Sequence, residues 1–246
     1  EQIKTVKNGY RHVVILGAGA SKASCIDNPE KNNKGLPLMN DLPKVIDLKE
    51  ELSDLPDSLK NENFETIFSE LFIKEGNSER LKSIEEKLYK YFENLELPDS
   101  PTIYDNLVLS LRDKDVIATF NWDPFLWQAY VRSMKVTKNL PNLLFLHGNV
   151  AIGVCEESKT FGPNGYLSLK SEKPFLPTKL LYPVGQKNYT SDTFIESQWK
   201  ALSNVLETTA RLTIFGYSAP VSDLEAINMM KKAWGDPKTD KQFTQV

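Results

Sequence analysis

Cysteine and histidine are scarce in this sequence. Its 246 residues include two cysteines, Cys25 and Cys155, and two histidines. The cysteines lie far apart and form no Cys-x-x-Cys pair, which excludes both a disulfide framework and a zinc ribbon. A cytoplasmic location is therefore the default expectation.

A long apolar run and an excess of one charge are also missing. The sequence has no stretch of about 18 apolar residues and no charged-then-apolar N-terminal segment, so neither a membrane span nor a secretory signal is predicted. Lys and Arg number 30 against 33 Asp and Glu, and the basic residues are scattered. We expect no membrane contact and no direct nucleic-acid partner.

What is present is the composition of a globular chain. With 40% hydrophobic and 26% charged residues, it can bury one sizeable core. The chain begins without Met, which is typical of a fragment or a processed form. A doubly wound sheet would normally gain another strand after Pro237, and residues 241–246 are candidates for its start, so C-terminal truncation is also expected.

The first motif is a glycine turn within residues 11–21, RHVVILGAGAS. The continuous apolar run before Gly17 is typical of a parallel strand covered on both faces. Gly17 would permit a tight turn, and Gly19 would let backbone amides approach a pyrophosphate. Lys22 occupies the place of the third glycine of a dinucleotide fingerprint. The motif is thus either a nucleotide loop or a structural turn.

The next part of the chain is polar and then helical. Residues 27–40 are too long and polar for a simple turn and form either a lid or a surface excursion. From about 42 to 114 the apolar period is helical, and Ser78 is a candidate N-cap. We predict an inserted helical subdomain whose aromatic stripe packs in the core or lines a pocket.

A further helix is predicted to begin at Ser100-Pro101, because serine caps helices and proline suits the first helical position. It would carry Ile103, Leu107 and Leu111 on one apolar stripe. It is the last helix of the predicted insert.

The strand predicted at Val116–Thr119 runs into Asn121 and Asp123. Open α/β sheets bind ligands at the carboxyl ends of their strands, so both side chains are candidate site residues. Alternatively, Asp123 caps the helix that starts at Pro124, with Asn121 merely in the turn.

A second polar strand end is His147-Gly148-Asn149, after a predicted strand at 143–146. Imidazole takes up protons near neutral pH, and His147 would lie at the same sheet edge as Asn121. It is either a catalytic base or a structural histidine. His12 precedes the first strand at the opposite edge and is predicted to be structural.

The C-terminal third contains the last predicted elements. We predict loops or a flap over residues 151–178, a strand over 179–182 and a helix over 193–209. A final strand at 211–215 ends in a second glycine turn. This turn begins at Gly216. Ser218 and Asp223 could hold a ribose hydroxyl or a phosphate, and Asp223 is alternatively an N-cap or first-turn acid.

These four strand ends, Gly-Ala-Gly-Ala-Ser, Thr-Phe-Asn-Trp-Asp, Leu-His-Gly-Asn and Phe-Gly-Tyr-Ser, together resemble the Sir2-like family, a sirtuin-fold branch found in bacterial antiphage-defence proteins. Gly35-Leu36-Pro37 and the segment from Pro177 to Tyr189 resemble further parts of that family. The resemblance covers about residues 12–234.

The resemblance implies an α/β fold, a Rossmann-like doubly wound parallel sheet with the helical insert, over residues 1–246. It implies NAD⁺ as the substrate, no metal, and catalytic roles for Asn121, His147 and Asp123. The positions implied to bind the nucleotide lie in the two glycine turns, the loop after the first turn and the second strand end. They are Gly17, Ala18, Gly19, Ala20, Ser21, Leu36, Pro37, Thr119, Phe120, Gly216, Tyr217, Ser218 and Asp223.

The implied activity is that of an NAD⁺ glycohydrolase that releases nicotinamide and ADP-ribose and depletes NAD in antiviral defence. The alternatives are a non-catalytic NAD or ADP-ribose sensor, or an ADP-ribosyltransferase. Deacylating sirtuins carry two Cys-x-x-Cys pairs after the His-Gly turn, where this chain has only Cys155. Because a four-thiolate zinc site cannot be built here, deacylation is not expected. Homo-oligomerisation, or a regulatory partner or C-terminal domain, would restrain the activity.

Overall fold

The computed structural model describes residues 10–32, 34, 36–183, 189–190, 192–235 and 242–245. Gly35, the middle of the Pro177–Tyr189 segment, and residues 241 and 246 lie outside these ranges. Within them, the strands are β1 (Arg11–Leu16), β2 (Val116–Thr119), β3 (Asn142–Phe145), β4 (Ile152–Cys155), β5 (Thr160–Pro163), β6 (Leu176–Pro177), β7 (Thr209–Phe215) and β8 (Gln242–Gln245). The helices are α1 (Ala18–Ala23), α2 (Leu42–Val45), α3 (Asp57–Lys60), α4 (Phe64–Glu75), α5 (Glu79–Glu93), α6 (Ile103–Ser110), α7 (Phe125–Ser133), α8 (Thr193–Glu207) and α9 (Leu224–Trp234).

The main sheet is parallel, with the strand order β3-β2-β1-β7-β8 in the described ranges. The chain leaves β1 in one direction to build β2 and β3, and it returns on the other side of β1 to build β7 and β8. The switch point therefore lies between β1 and β7, where open α/β sheets hold their ligands. The predicted α/β doubly wound fold is confirmed, and part of the 241–246 segment does form a strand.

The register of the sheet brings four strand ends level with one another. Leu16 lies beside both Thr119 and Phe215, and Thr119 lies beside Phe145. The residues that follow these four positions therefore emerge at a single edge of the sheet. This alignment gathers the motifs that the sequence keeps far apart.

The sheet is covered on both faces, as the continuous apolar run in β1 predicts. Val14 and Leu16 pack into one core with the helices between residues 42 and 111. Val13 and Ile15 pack into a second core with α8 and α9. The predicted helical insert is thus one layer of the domain, sharing a core with the sheet.

Helix α6 differs from its prediction. Thr102, and not Ser100, is its N-cap, because Thr102 and Asp105 form a reciprocal capping box. The buried face carries Tyr104 and Val108, while Ile103 is exposed. The rest of the predicted stripe is correct, since Leu111 is buried and Leu107 packs against the same core. Tyr104, which contacts the candidate site, was not predicted.

Two predictions for the C-terminal half also need correction. Residues 151–178 contain an antiparallel sheet of order β5-β4-β6, where loops or a flap were predicted. Residues 179–182 form no strand. Instead, they lie beside the turn after β3, where the Leu181 amide donates to the His147 carbonyl at 2.9 Å.

His12 lies on β1 and its Nε2 is 2.9 Å from Thr213 Oγ1 on the neighbouring strand. Burial lowers the pKa of His12. This contact agrees with the structural role predicted for it.

Within the described ranges, no helix combines the length and apolar composition needed to cross a bilayer.

Candidate functional site

The four aligned strand ends open into one cavity of about 440 Å³, a size typical of small-molecule sites. Its floor comes from the turns after β1, β2, β3 and β7, and its opposite wall comes from the helical insert. Among the predicted site residues, the cavity is lined by Gly17, Ala18, Gly19, Ser21, Leu36, Pro37, Phe120, Asn121, Asp123, His147, Gly216, Tyr217, Ser218 and Asp223.

Two predicted residues do not line this cavity. Ala20, on the inner face of α1, is fully buried in the core. Thr119 is also buried, and its Oγ1 accepts the Asn121 amide at 3.0 Å. Thr119 therefore shapes the turn that carries Asn121.

The glycines of the first turn have a role that the sequence did not reveal. A Cβ on Gly17 would lie 2.5 Å from the Gly216 carbonyl oxygen, and one on Gly19 would lie 2.9 Å from Gly216 Cα. The Gly19 amide donates to the Gly216 carbonyl at 2.9 Å, so it is not available to a pyrophosphate. These glycines are required because the turns after β1 and β7 pack backbone against backbone.

Ser21 is the centre of a buried hydrogen-bond network. Its hydroxyl donates to Asp123 Oδ2 at 2.7 Å and accepts from Asn121 Nδ2 at 2.8 Å. Because the single Ser21 proton is used in this way, the Tyr104 hydroxyl at 2.8 Å must donate to Ser21. Burial raises the pKa of Tyr104 well above its usual range, which keeps it a donor. Ser21 therefore positions the side chains of its neighbours.

Asn121 is held from two sides. Its Nδ2 also donates to the Gly17 carbonyl at 2.8 Å, so both amide hydrogens are used inside the protein. The remaining hydrogen-bonding group of this side chain is the acceptor Oδ1. Asn121 can therefore orient a hydroxyl or a water, and it cannot readily act as a donor.

Asp123 lies just before α7, whose N-cap is Pro124 and not the predicted Asp123. Oδ1 accepts the Phe125 amide at 3.2 Å at the start of α7, while Oδ2 receives the Ser21 hydroxyl. Burial raises the pKa of Asp123 to about 6, although the hydrogen bonds from Ser21 and the Phe125 amide act in the opposite direction. Asp123 is thus a strongly desolvated carboxyl group whose charge changes close to neutral pH.

This pKa predicts a pH-dependent stability. The folded state binds a proton to Asp123 more readily than the unfolded state, so stability falls as the pH rises from about 4 through about 6. We expect the unfolding free energy of the wild type, relative to Asp123→Asn, to fall by about 2–3 kcal/mol between pH 4 and 7. Urea unfolding at a series of pH values measures this. A difference that does not change with pH would contradict it.

Asn149 is a site residue whose role sequence reasoning missed. It is fully buried, and its Nδ2 donates to the carbonyls of Asn121 at 3.2 Å and Asp123 at 2.7 Å. It therefore ties the turn after β2 to the turn after β3. Its position in Leu-His-Gly-Asn at a strand end was the signal that could have identified it.

His147 is buried in the aromatic part of the cavity wall. Its ring meets Phe120 edge to face at 4.8 Å, and Phe120 stacks on Tyr217 at 4.2 Å. The backbone beside it depends on Gly148, which has φ +76°, since a Cβ there would lie 2.1 Å from the Lys179 carbonyl oxygen. The imidazole is thus fixed by its ring contacts and by the turn that carries it.

Asp223 stands at the N-cap of α9, which is one of the two positions expected for it, but its side chain makes no capping hydrogen bond. Instead, Oδ2 accepts the Tyr217 hydroxyl at 2.9 Å, and Oδ1 lies 3.7 Å from His147 Nε2. Its carboxylate is therefore turned toward the histidine.

The charge of the cavity is acidic. Glu65 from the helical insert lines it together with Asp123 and Asp223, and no Lys or Arg is among the described lining residues. The Ser222 hydroxyl donates to Glu65 Oε1 at 3.3 Å, joining the insert to the turn after β7. In the described ranges, no group of three or more His, Cys, Asp or Glu is arranged to hold a metal ion.

Comparisons with known proteins give similarity of structure alone. No family model and no curated protein matches the chain. A mutant Sir2 homologue in complex with ADP-ribose is 14% identical with a TM-score of 0.47, covering 96% of this chain and 79% of its own. A Sir2 homologue–NAD complex is 15% identical with a TM-score of 0.43, covering 99% and 86%. Sir2 bound to an acetylated peptide is 13% identical with a TM-score of 0.44, covering 100% and 92%. The chain is thus similar to solved Sir2 structures at low sequence identity, a level that assigns neither a family nor an activity.

Proposed function

We propose that the protein is an NAD⁺ glycohydrolase that cleaves NAD⁺ to nicotinamide and ADP-ribose. The observation that carries the proposal is the convergence of Asn121, His147 and the first glycine turn on one cavity at the switch point of the sheet. These are the residues on which the resemblance to the Sir2-like family depends. The proposal extends to that family's setting, an NAD-depleting effector of bacterial antiviral defence.

The reaction breaks the bond between C1′ of the ribose and the nicotinamide nitrogen. The bonding electron pair moves to that nitrogen and neutralises the pyridinium ring, while the oxygen of a water molecule bonds to C1′. One water proton passes to the imidazole of His147, acting as a general base. The imidazole of His147 later releases this proton to solvent, so the overall hydrolysis balances in atoms and charge.

Asn121 would orient the reacting groups. Because its amide hydrogens are used by Gly17 and Ser21, its Oδ1 can accept a hydrogen bond from the attacking water or from a ribose hydroxyl. A side chain already held in place orients its ligand without reorganisation, which favours catalysis.

The acidic lining suits the charge of the transition state. Cleavage passes through an oxocarbenium-like centre, and carboxylates such as Asp123 and Glu65 would stabilise positive charge in this buried cavity. The same lining gives the pyrophosphate no cationic side chain among the described residues. Phosphate binding would thus depend on neutral donors, such as the backbone amide of Ala18, an exposed residue, and the Ser218 hydroxyl.

A binding module for NAD or ADP-ribose is the second candidate. The observation that favours it is that the Asn121 amide also holds the turn together, a task that a non-catalytic protein would need equally. For the enzyme, we further propose that a homo-oligomer or a regulatory partner restrains turnover.

The test is NAD⁺ turnover, with nicotinamide and ADP-ribose quantified by chromatography and NAD binding measured in parallel by calorimetry. Release of both products in equal amounts supports the hydrolase. Binding without release would favour the sensor, and a rate that requires a protein acceptor would indicate transfer. Neither binding nor turnover, with the protein folded and tested across its oligomeric states, would overturn the proposal.

A further inference from the structure

His147 and Asp223 face each other across the cavity wall. Oδ1 of the carboxylate lies 3.7 Å from Nε2 of the imidazole, and the two side chains are 4% and 6% exposed. The other carboxylate oxygen accepts the Tyr217 hydroxyl at 2.9 Å. The carboxylate is thus fixed in orientation, with one oxygen directed at the histidine.

Helix capping does not account for this arrangement. Asp223 stands at the N-cap of α9, yet its side chain makes no capping hydrogen bond. A carboxylate removed from water is costly unless hydrogen bonds and an opposite charge compensate it. An imidazolium at position 147 would supply that opposite charge.

We propose that Asp223 is a positioning residue for His147, holding the imidazole ring and stabilising the imidazolium that forms when the ring takes a proton. The proposal rests on the proposed hydrolysis. The proton moves from the attacking water to the imidazole while the water oxygen bonds to C1′. At 3.7 Å the two atoms are too far apart for a hydrogen bond. They form an ion pair only while the imidazole carries the proton, and such contacts commonly tighten when substrate binds.

The remaining surroundings of His147 are aromatic. Phe120 meets the ring edge to face, and the Tyr189 ring lies 6.0 Å away. Burial raises the pKa of both Tyr189 and Tyr217, so the two phenols stay neutral near pH 7. The described titratable groups around the imidazole include Asp223, Tyr189, Tyr217 and, acting on the tyrosines, Glu65 and Glu225.

The decisive experiment is an NMR titration of the histidine side chains. The chain has only two histidines, and the spectrum of His12→Ala assigns both signals. We expect Asp223→Asn to lower the pKa of His147 by about one unit or more, since an adjacent opposite charge favours the charged form. The pKa of His12 should not move. Glu225→Gln, which neutralises an exposed carboxylate in the first turn of the same helix, is the matched control and should leave His147 close to its wild-type pKa.

The pH profile of kcat/KM provides the second readout. A general base must be deprotonated, so kcat/KM should rise with pH through the pKa of His147. In Asp223→Asn this rise in kcat/KM should occur at lower pH, and the maximum value of kcat/KM at high pH should be smaller. An unchanged His147 pKa in folded Asp223→Asn, or in Asp223→Ser if the first variant does not fold, would overturn the pairing. If the wild type does not cleave NAD⁺, the hydrolase proposal fails, while the titration still decides the pairing.

Discussion

His147→Ala is expected to lower kcat for NAD⁺ cleavage by about 10²–10⁴-fold, the range lost when a general base is removed. The imidazole lies in the cavity wall with Asn121, and the described lining offers no second histidine to replace it. Nicotinamide release at saturating NAD⁺ measures this effect. The loss should appear in kcat rather than in NAD affinity, because the proton is taken up in the transition state.

The matched control is the other histidine. His12 lies on β1 and contacts Thr213, so His12→Ala should keep nearly full activity at a modest cost in stability. Equal activity of the two alanine variants would show that the chemistry has been assigned to the wrong strand end.

Asn121→Ala should also lower kcat, because its Oδ1 and its contacts to Gly17 and Ser21 are lost together.

Gly216→Ala is expected to lower the unfolding free energy by about 2–5 kcal/mol and to weaken NAD binding. Part of the cost, about 1–2 kcal/mol, comes from the left-handed backbone, since Gly216 has φ +65°. A further 1–3 kcal/mol, roughly, comes from overpacking, because the added Cβ would lie 2.1 Å from the Ala20 amide nitrogen. The contact is backbone, so no side chain can swing away, and the first glycine turn must shift.

Gly165→Ala separates the two costs. Gly165 has φ +79°, but a Cβ there would meet nothing within 4 Å. Its substitution should therefore cost only the backbone part and leave NAD binding unchanged. Chemical unfolding of both variants and calorimetric titration with NAD⁺ give the comparison. Equal destabilisation by the two substitutions would show that the close packing of the two glycine turns contributes nothing.

The strand ends were the part of the site that local sequence patterns could predict. A continuous apolar run bounded by glycine or polar residues identifies a buried parallel strand with its ligand edge, as in β1, β2, β3 and β7. The rule that such edges hold ligands then groups Asn121 with His147 before any coordinates are known. The helical period of the insert was equally visible, since α4 and α5 bury one regular face.

Helix α6 shows why the rest could not be predicted. Its apolar residues fit two neighbouring stripes, and packing into the core beside the sheet buries the one that contains Tyr104. Only the packed fold then brings the Tyr104 hydroxyl to Ser21, 83 residues earlier in the chain. A short helix with apolar residues on adjacent faces does not specify its own orientation.

The sequence by itself determined the α/β class, the parallel strands and the polar turns that close them, because these depend on local periodicity and on turn chemistry. Only the tertiary structure decided what each side chain does at the site. It directed Asp223 to His147, used the amide of Asn121 to hold the first turn, and made Gly17 and Gly19 necessary for packing against Gly216. Such contacts join residues that are distant in the chain, and they are determined by strand order and register, which no local pattern encodes.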